Sequence, residues 1–67
     1  MNLVVNGSSR TVREGASVAD LVAELALVGD GSGIAVALNG EVVPRSEWIT
    51  ALSERDRVEI LTAAQGG

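Results

Sequence analysis

Residues 34–44 read Ile-Ala-Val-Ala-Leu-Asn-Gly-Glu-Val-Val-Pro, and this stretch decides the fold because it encodes a complete strand–turn–strand unit. Large apolar residues alternate with alanines in its first half, as in a strand that buries one face. Asn39-Gly40 is a strong hairpin signal, since both residues tolerate a positive φ. Pro44 has no backbone N–H to donate, so it ends the returning strand.

The N-terminal region repeats this arrangement. Met1–Val5 is predicted to be a strand, Asn6-Gly7 gives a second hairpin signal, and Ser9–Val12 is predicted to return as the paired strand. At the other end of the chain, the alternation over Arg57–Ala63 predicts the last strand.

A helix is predicted between the two hairpins. Ser17 is a suitable N-cap, and Asp20 lies where a carboxylate favours the positive end of the helix dipole. Gly29 is the predicted stop of the helix. Between the cap and this stop, the apolar residues have the spacing of one buried helical stripe, formed by Val18, Leu21, Val22 and Leu25.

The segment after Pro44 predicts a short helical turn. Ser46 is the expected cap for a turn that contains Glu47, Trp48 and Ile49, and Trp48 is expected to cover the core. The resulting order is β-β-α-β-β-turn-β. Burial of the helix stripe against one sheet face predicts a two-layer α+β domain.

Composition excludes several classes of function. The chain has 67 residues with no cysteine and no histidine, so no thiol nucleophile, thiolate metal ligand or ordinary neutral-pH base is available. The net charge is −4 with five arginines and no lysine, which argues against nucleic acid and fits a basic groove on a protein partner. We expect no metal site, no membrane span and no signal peptide, and therefore a cytoplasmic location.

The chain stops at Gly66-Gly67, directly after the predicted last strand. Glycine has no Cβ, so its backbone fits channels that are closed to other residues. A thin, carboxylate-tipped end is suited to activation by another enzyme. The diglycine therefore points to the C-terminal carboxylate as the reactive group.

The stretch Ala37–Trp48 closely resembles the corresponding stretch of the ThiS family of sulfur carriers. The Asn-Gly turn, the Val-Pro-Arg run and the following tryptophan are its specific part. Arg57–Leu61 and the terminal diglycine also fit. The chain departs from the family at Arg55, where a glycine often precedes the aspartate.

The resemblance implies a β-grasp, or ubiquitin-like, domain over residues 1–63 and a flexible tail over residues 64–67. It implies a carrier and not an enzyme. An E1-like adenylating enzyme (ThiF-like) would use ATP and Mg²⁺, which this chain itself does not bind. A persulfide on a partner would supply sulfur, and a thiazole synthase (ThiG-like) would receive it for thiamine biosynthesis.

The resemblance also assigns roles in the tail. Gly67 would carry the sulfur as a thiocarboxylate, while Gly66, Gln65 and Ala64 would thread the partners' active sites. If the first and last strands pair as in the β-grasp plan, strand alternation places Val4 and Leu61 together on the face away from the helix. The predicted partner-docking surface comprises Leu61, Val4, Ala63 and Ala37, with Ala35 as a further member.

Three alternatives stay open from the sequence. The small subunit of molybdopterin synthase uses the same fold and tail chemistry, although its match to residues 39–48 is poorer. A carrier for cysteine or another sulfur metabolite is the second. A ubiquitin-like interaction module in which the diglycine is incidental belongs to a different class of protein.

Overall fold

The computed structural model describes residues 1–25 and 33–62. Within these residues the elements follow the predicted order, and a short 3₁₀ helix at Arg45–Glu47 stands before the last strand. The bounds are β1 Asn2–Val5, β2 Ser8–Thr11, α1 Val18–Glu24, β3 Ile34–Leu38, β4 Glu41–Val43 and β5 Arg57–Thr62.

The strands form one mixed sheet in the order β2-β1-β5-β3-β4. The first and last strands lie parallel at its centre, with Val4 opposite Arg57 and Val5 opposite Val58. The remaining neighbours pair antiparallel. One helix packed on one face of this sheet gives a two-layer α+β β-grasp domain, which confirms the predicted fold.

Both Asn-Gly pairs form the hairpin turns that were predicted. Asn6 and Gly7 have φ values of 50° and 83°, and Asn39 and Gly40 have values of 51° and 89°. Two successive positive φ angles are the mark of a type I′ turn, whose twist matches the twist of the flanking strands. The two turns therefore fix the registers of the β1–β2 and β3–β4 hairpins.

Helix α1 begins with a reciprocal capping box. The Ser17 hydroxyl accepts from the Asp20 backbone N–H at 3.1 Å, and the Ser17 N–H donates to the Asp20 carboxylate at 3.0 Å. The helix ends at Glu24 with Leu25 as its C-cap, which is earlier than the stop predicted at Gly29. Gly29 itself lies outside the described residues. In the described part of the chain, no helix is both long and apolar enough to cross a membrane.

The segment between the 3₁₀ helix and β5 accepts hydrogen bonds from the first turn of α1. Val18 and Ala19 donate their N–H groups to the carbonyls of Thr50 and Trp48 at 3.1 and 2.9 Å. Ser17 and Ala51 form an isolated bridge beside them. These bonds satisfy helix donors that have no partner inside the helix itself.

The core lies between α1 and the inner face of the sheet. It contains Val18, Leu21 and Val22 of the predicted helix stripe, while the fourth member, Leu25, is half-buried against it. The inward residues of the central strands complete it, and Trp48 is buried as expected. Sequence reasoning did not single out Ala16 and Leu52, which join it through a backbone hydrogen bond of 2.8 Å. The buried residues are Leu3, Val5, Val12, Ala16, Val18, Leu21, Val22, Val36, Trp48, Leu52, Val58 and Ile60.

Two local predictions were wrong. Ser46 does not cap the short helical turn but lies within it, because Pro44 occupies the N-cap position and the Glu47 N–H donates to the Pro44 carbonyl at 2.8 Å. Strand β2 spans Ser8–Thr11, one residue earlier than predicted, because the two-residue turn at residues 6–7 sets its start.

Candidate docking face and tail root

The face of the sheet away from α1 carries exposed apolar side chains. Strand alternation sends Val58 and Ile60 of β5 into the core. Leu61 is the next residue toward the tail, so its side chain points outward, and it is 68% exposed. Val42 of β4 also points outward and is 76% exposed. Large side chains this accessible mark a candidate partner surface when they are contiguous.

The strand registers make these residues contiguous. Leu61 is paired with Ala35, and Ala37 is paired with Val42 on its other side. Neighbouring strands lie about 4.8 Å apart, so an apolar surface runs across β5, β3 and β4. We call it the outer patch, and its members are Ala35, Ala37, Val42 and Leu61.

Val4 shares this face but does not adjoin Leu61. Its partner in β5 is Arg57, and Leu61 lies four residue steps further along the strand. At about 3.3 Å per residue that separation is roughly 13 Å. The prediction that Val4 and Leu61 lie together is therefore corrected, since they occupy opposite ends of the same face.

Val42 is the outer-patch residue that sequence reasoning missed. The signal was present in the pair Val42-Val43, because only one of two adjacent strand residues can face the core. The structure shows Val43 packed against the core and Val42 outside.

Charge changes along the outer face. Glu59 lies opposite Ala37, and Arg57 lies opposite Val4, and both charged side chains are exposed. The outer face of the sheet therefore has an apolar end at Leu61 and a charged end near Arg57. The apolar end is the one that leads into the tail.

The predicted tail residues 64–67, and Ala63 of the predicted docking set, lie outside the described residues. Leu61 and Thr62 are the last described residues before them. Six residue steps join Leu61 to Gly67, and an extended chain spans at most about 3.6 Å per step. The Cα atom of Gly67 is thus within roughly 22 Å of the Cα atom of Leu61 in any conformation.

Comparison with known proteins places this geometry in a family. The ThiS family model matches residues 3–67, which include the diglycine and all of the described sheet except Asn2. The chain belongs to the ThiS family. No match was found among curated proteins.

Two solved structures of a thiamine biosynthesis protein (ThiS) from Geobacter metallireducens are similar to the chain. The crystal structure has a TM-score of 0.82 and 38% identity, and the match covers 100% of both chains. The solution structure has the same TM-score and identity, and the match covers 100% of this chain and 88% of the other.

The ThiS-like run from residue 42 to residue 48 has a structural explanation. The Trp48 indole N–H donates to the Val43 carbonyl at 3.1 Å, and the Arg45 guanidinium lies 4.9 Å from the centre of the tryptophan ring. These contacts lock the chain after β4 over the core. The motif that resembles the family therefore supports the fold.

The departure from the family at Arg55 is also visible. Arg55 has a φ of 69°, the left-handed conformation that glycine adopts without steric cost. The turn closes around Asp56, whose carboxylate accepts from the Ser53 N–H at 2.7 Å and from the Asn39 side chain at 3.0 Å. The glycine-type turn is thus kept although arginine occupies the position.

Proposed function

We propose that this chain is a sulfur carrier that works through its C-terminal carboxylate. The observation that carries the proposal is the ThiS family match, which runs through Gly66 and Gly67. The outer patch supports it, because exposed Leu61 stands at the root of the tail, where a partner must approach. The thiamine biosynthesis protein at 38% identity supports thiamine synthesis as the pathway.

The chemistry begins with activation. A free carboxylate is a poor electrophile because its oxygen is a poor leaving group. An E1-like adenylating enzyme, with ATP and Mg²⁺ in its own site, would join the Gly67 carboxylate to AMP and release pyrophosphate. The acyl adenylate then has a good leaving group.

Sulfur enters by displacement. A persulfide on a partner attacks the acyl carbon, the bond to AMP breaks, and an acyl disulfide forms. A thiol then cleaves the sulfur–sulfur bond and leaves a thiocarboxylate on Gly67. That sulfur nucleophile is delivered to a thiazole synthase.

The roles of the chain's own residues follow from their shapes. Gly67 carries the reacting group, Gly66 lets the stalk pass a narrow channel, and Gln65 and Ala64 line the channel mouth. The outer patch docks the partner. In this proposal the chain is a substrate and carrier, and the catalytic groups, the ATP and the Mg²⁺ belong to its partners.

Deletion of Gly67 tests the proposal. We expect the variant to keep the circular dichroism spectrum and unfolding midpoint of the full chain, because the core ends at Ile60. Incubated with ATP, a sulfur donor and the cognate activating enzyme, it should form no thiocarboxylate by intact mass. A chain extended by one alanine after Gly67 is the matched control for the position of the carboxylate, and it should also fail. Sulfur transfer by the deletion variant would refute the carrier proposal.

A further inference from the structure

Strand β5 extends further toward the tail than the strand beside it. The pairing between β1 and β5 ends where Val5 lies opposite Val58, while β5 continues to Thr62. On its other side β5 stays paired with β3 as far as Thr62 opposite Ile34. The side of β5 that faces β1 therefore needs other partners beyond Val58.

Asn6 supplies those partners. Its backbone N–H donates to the Val58 carbonyl at 2.9 Å. Its side-chain Oδ1 accepts from the Ile60 N–H at 2.8 Å, and its Nδ2 donates to the Ile60 carbonyl at 3.3 Å. The carboxamide thus takes the place of a backbone peptide group in β1. It extends the pairing along β5 by two residues, from Val58 to Ile60.

This contact is possible because of the turn. Asn6 has a φ of 50°, so the main chain turns away into the hairpin after Val5. The short side chain is left to continue along β5 in place of the backbone. Asparagine is suited to both tasks, since it tolerates positive φ and carries one donor and one acceptor on the same planar group.

We propose that Asn6 is a positioning residue for the C-terminal tail. By holding both backbone groups of Ile60 on the side away from β3, it adds to the pairing with β3 in fixing the position of β5 up to Leu61, the last residue of the outer patch. A partner that threads the tail then has less backbone to order, which lowers the entropic cost of binding. This role rests on the sulfur-carrier function proposed above.

Asn39 provides a matched control within the same chain. It also precedes a glycine in a hairpin, with a φ of 51°. Its side chain likewise bonds two groups near β5, accepting from the Arg57 N–H at 2.9 Å and donating to Asp56 at 3.0 Å. These contacts lie at the start of β5, at the end away from the tail.

Amide hydrogen exchange tests the contact itself. Asn6→Gly and Asn39→Gly keep the positive φ and remove the carboxamide. We expect exchange at Ile60 to rise about tenfold or more in Asn6→Gly, and exchange at Arg57 to rise similarly in Asn39→Gly. Unchanged protection of Ile60 in Asn6→Gly would overturn the proposal, whatever the function of the chain.

Adenylation kinetics test the positioning role. Pyrophosphate release by the cognate activating enzyme is measured with each variant at a temperature where both are folded. We expect Asn6→Gly to raise KM for the carrier about five- to tenfold, the size expected when roughly one residue must be ordered on binding, with kcat within about twofold. Asn39→Gly should leave both constants unchanged.

Asn6→Asp completes the test. It keeps an oxygen acceptor for the Ile60 N–H but loses the donor to the Ile60 carbonyl, so its amide exchange rate at Ile60 and its KM should lie between those of Asn6→Gly and the unaltered chain. Equal KM values for the two glycine variants would overturn the positioning role even if the exchange result holds. Failure of the unaltered chain to be adenylated would count against the proposed function, while the exchange result would still decide whether Asn6 holds β5.

Discussion

Arg55 holds the left-handed backbone conformation that glycine adopts without penalty. A residue with a Cβ costs about 1–2 kcal/mol in this region. Glycine costs about 0.5–1 kcal/mol of its own, through the greater freedom of the unfolded chain. The balance favours glycine at this position.

We therefore expect Arg55→Gly to raise the free energy of unfolding by about 0.5–1 kcal/mol, measured by urea denaturation. Arg55→Ala is the matched control, because it removes the charge and the long side chain but keeps the Cβ, and it should give no gain. Equal stability of the alanine and glycine variants would show that the turn stores no strain.

The ionisation of Asp20 makes the stability of the fold depend on pH. The Ser17 N–H and hydroxyl, followed by the Arg13 guanidinium 2.9 Å away, hold the pKa of Asp20 below its usual value of 3.8. A lowered folded-state pKa stabilises the fold fully above about pH 4, and this contribution is lost as pH falls through the folded-state pKa.

The variant Asp20→Asn removes the ionisable group. We expect the stability gap between the wild type and this variant to be constant from about pH 5 to pH 7 and to shrink below about pH 4. Thermal unfolding across this range measures the gap. A gap that does not change with pH would mean that the ionised form gains nothing from the capping box.

The sheet is the element that turns local patterns into a docking face. Outward residues of three strands meet only because β3 lies between β5 and β4, so the outer patch is a product of strand order. Full burial of Leu61 at an interface contributes about 2 kcal/mol before the costs of association. A shorter or charged side chain at Leu61 should therefore lower the affinity for the partner and leave the stability of the fold unchanged.

We expect Leu61→Asp to weaken binding to the activating enzyme about tenfold or more while leaving the unfolding midpoint within a few degrees. Ile49→Asp is the control, because Ile49 is 84% exposed and lies outside the strands of the sheet. Calorimetric titration of each variant measures the affinity. Equal affinity of Leu61→Asp and the wild type would remove Leu61 from the docking face.

Over the whole molecule, the structural features that depend on short sequence patterns could be predicted. Alternation around Val36 and Val58 gave the correct inward faces, and the two Asn-Gly pairs gave the correct turns, because both signals depend on neighbouring residues alone. The parallel register of β1 and β5 depends on contacts more than fifty residues apart. Strand alternation carries no information on it, which is why Val4 was placed beside Leu61.

Contacts made by irregular segments were also beyond prediction. Leu52 enters the core, and the Asn6 side chain completes the edge of β5, only after the tertiary fold brings them to their partners. Neither residue belongs to a periodic pattern that could have marked it. Gly66-Gly67, in contrast, can be read directly from the sequence, and its role as the reactive end stays a prediction.

The most direct test of the central claim is the intact mass of this chain isolated from its native host under mild conditions, with and without a thiol-alkylating reagent. The sulfur-carrier proposal predicts a population heavier by one oxygen-to-sulfur exchange that is alkylated although the chain contains no cysteine. A chain that is unmodified on isolation, and stays so with ATP, a sulfur donor and its activating enzyme, would contradict the proposal and favour a ubiquitin-like interaction module.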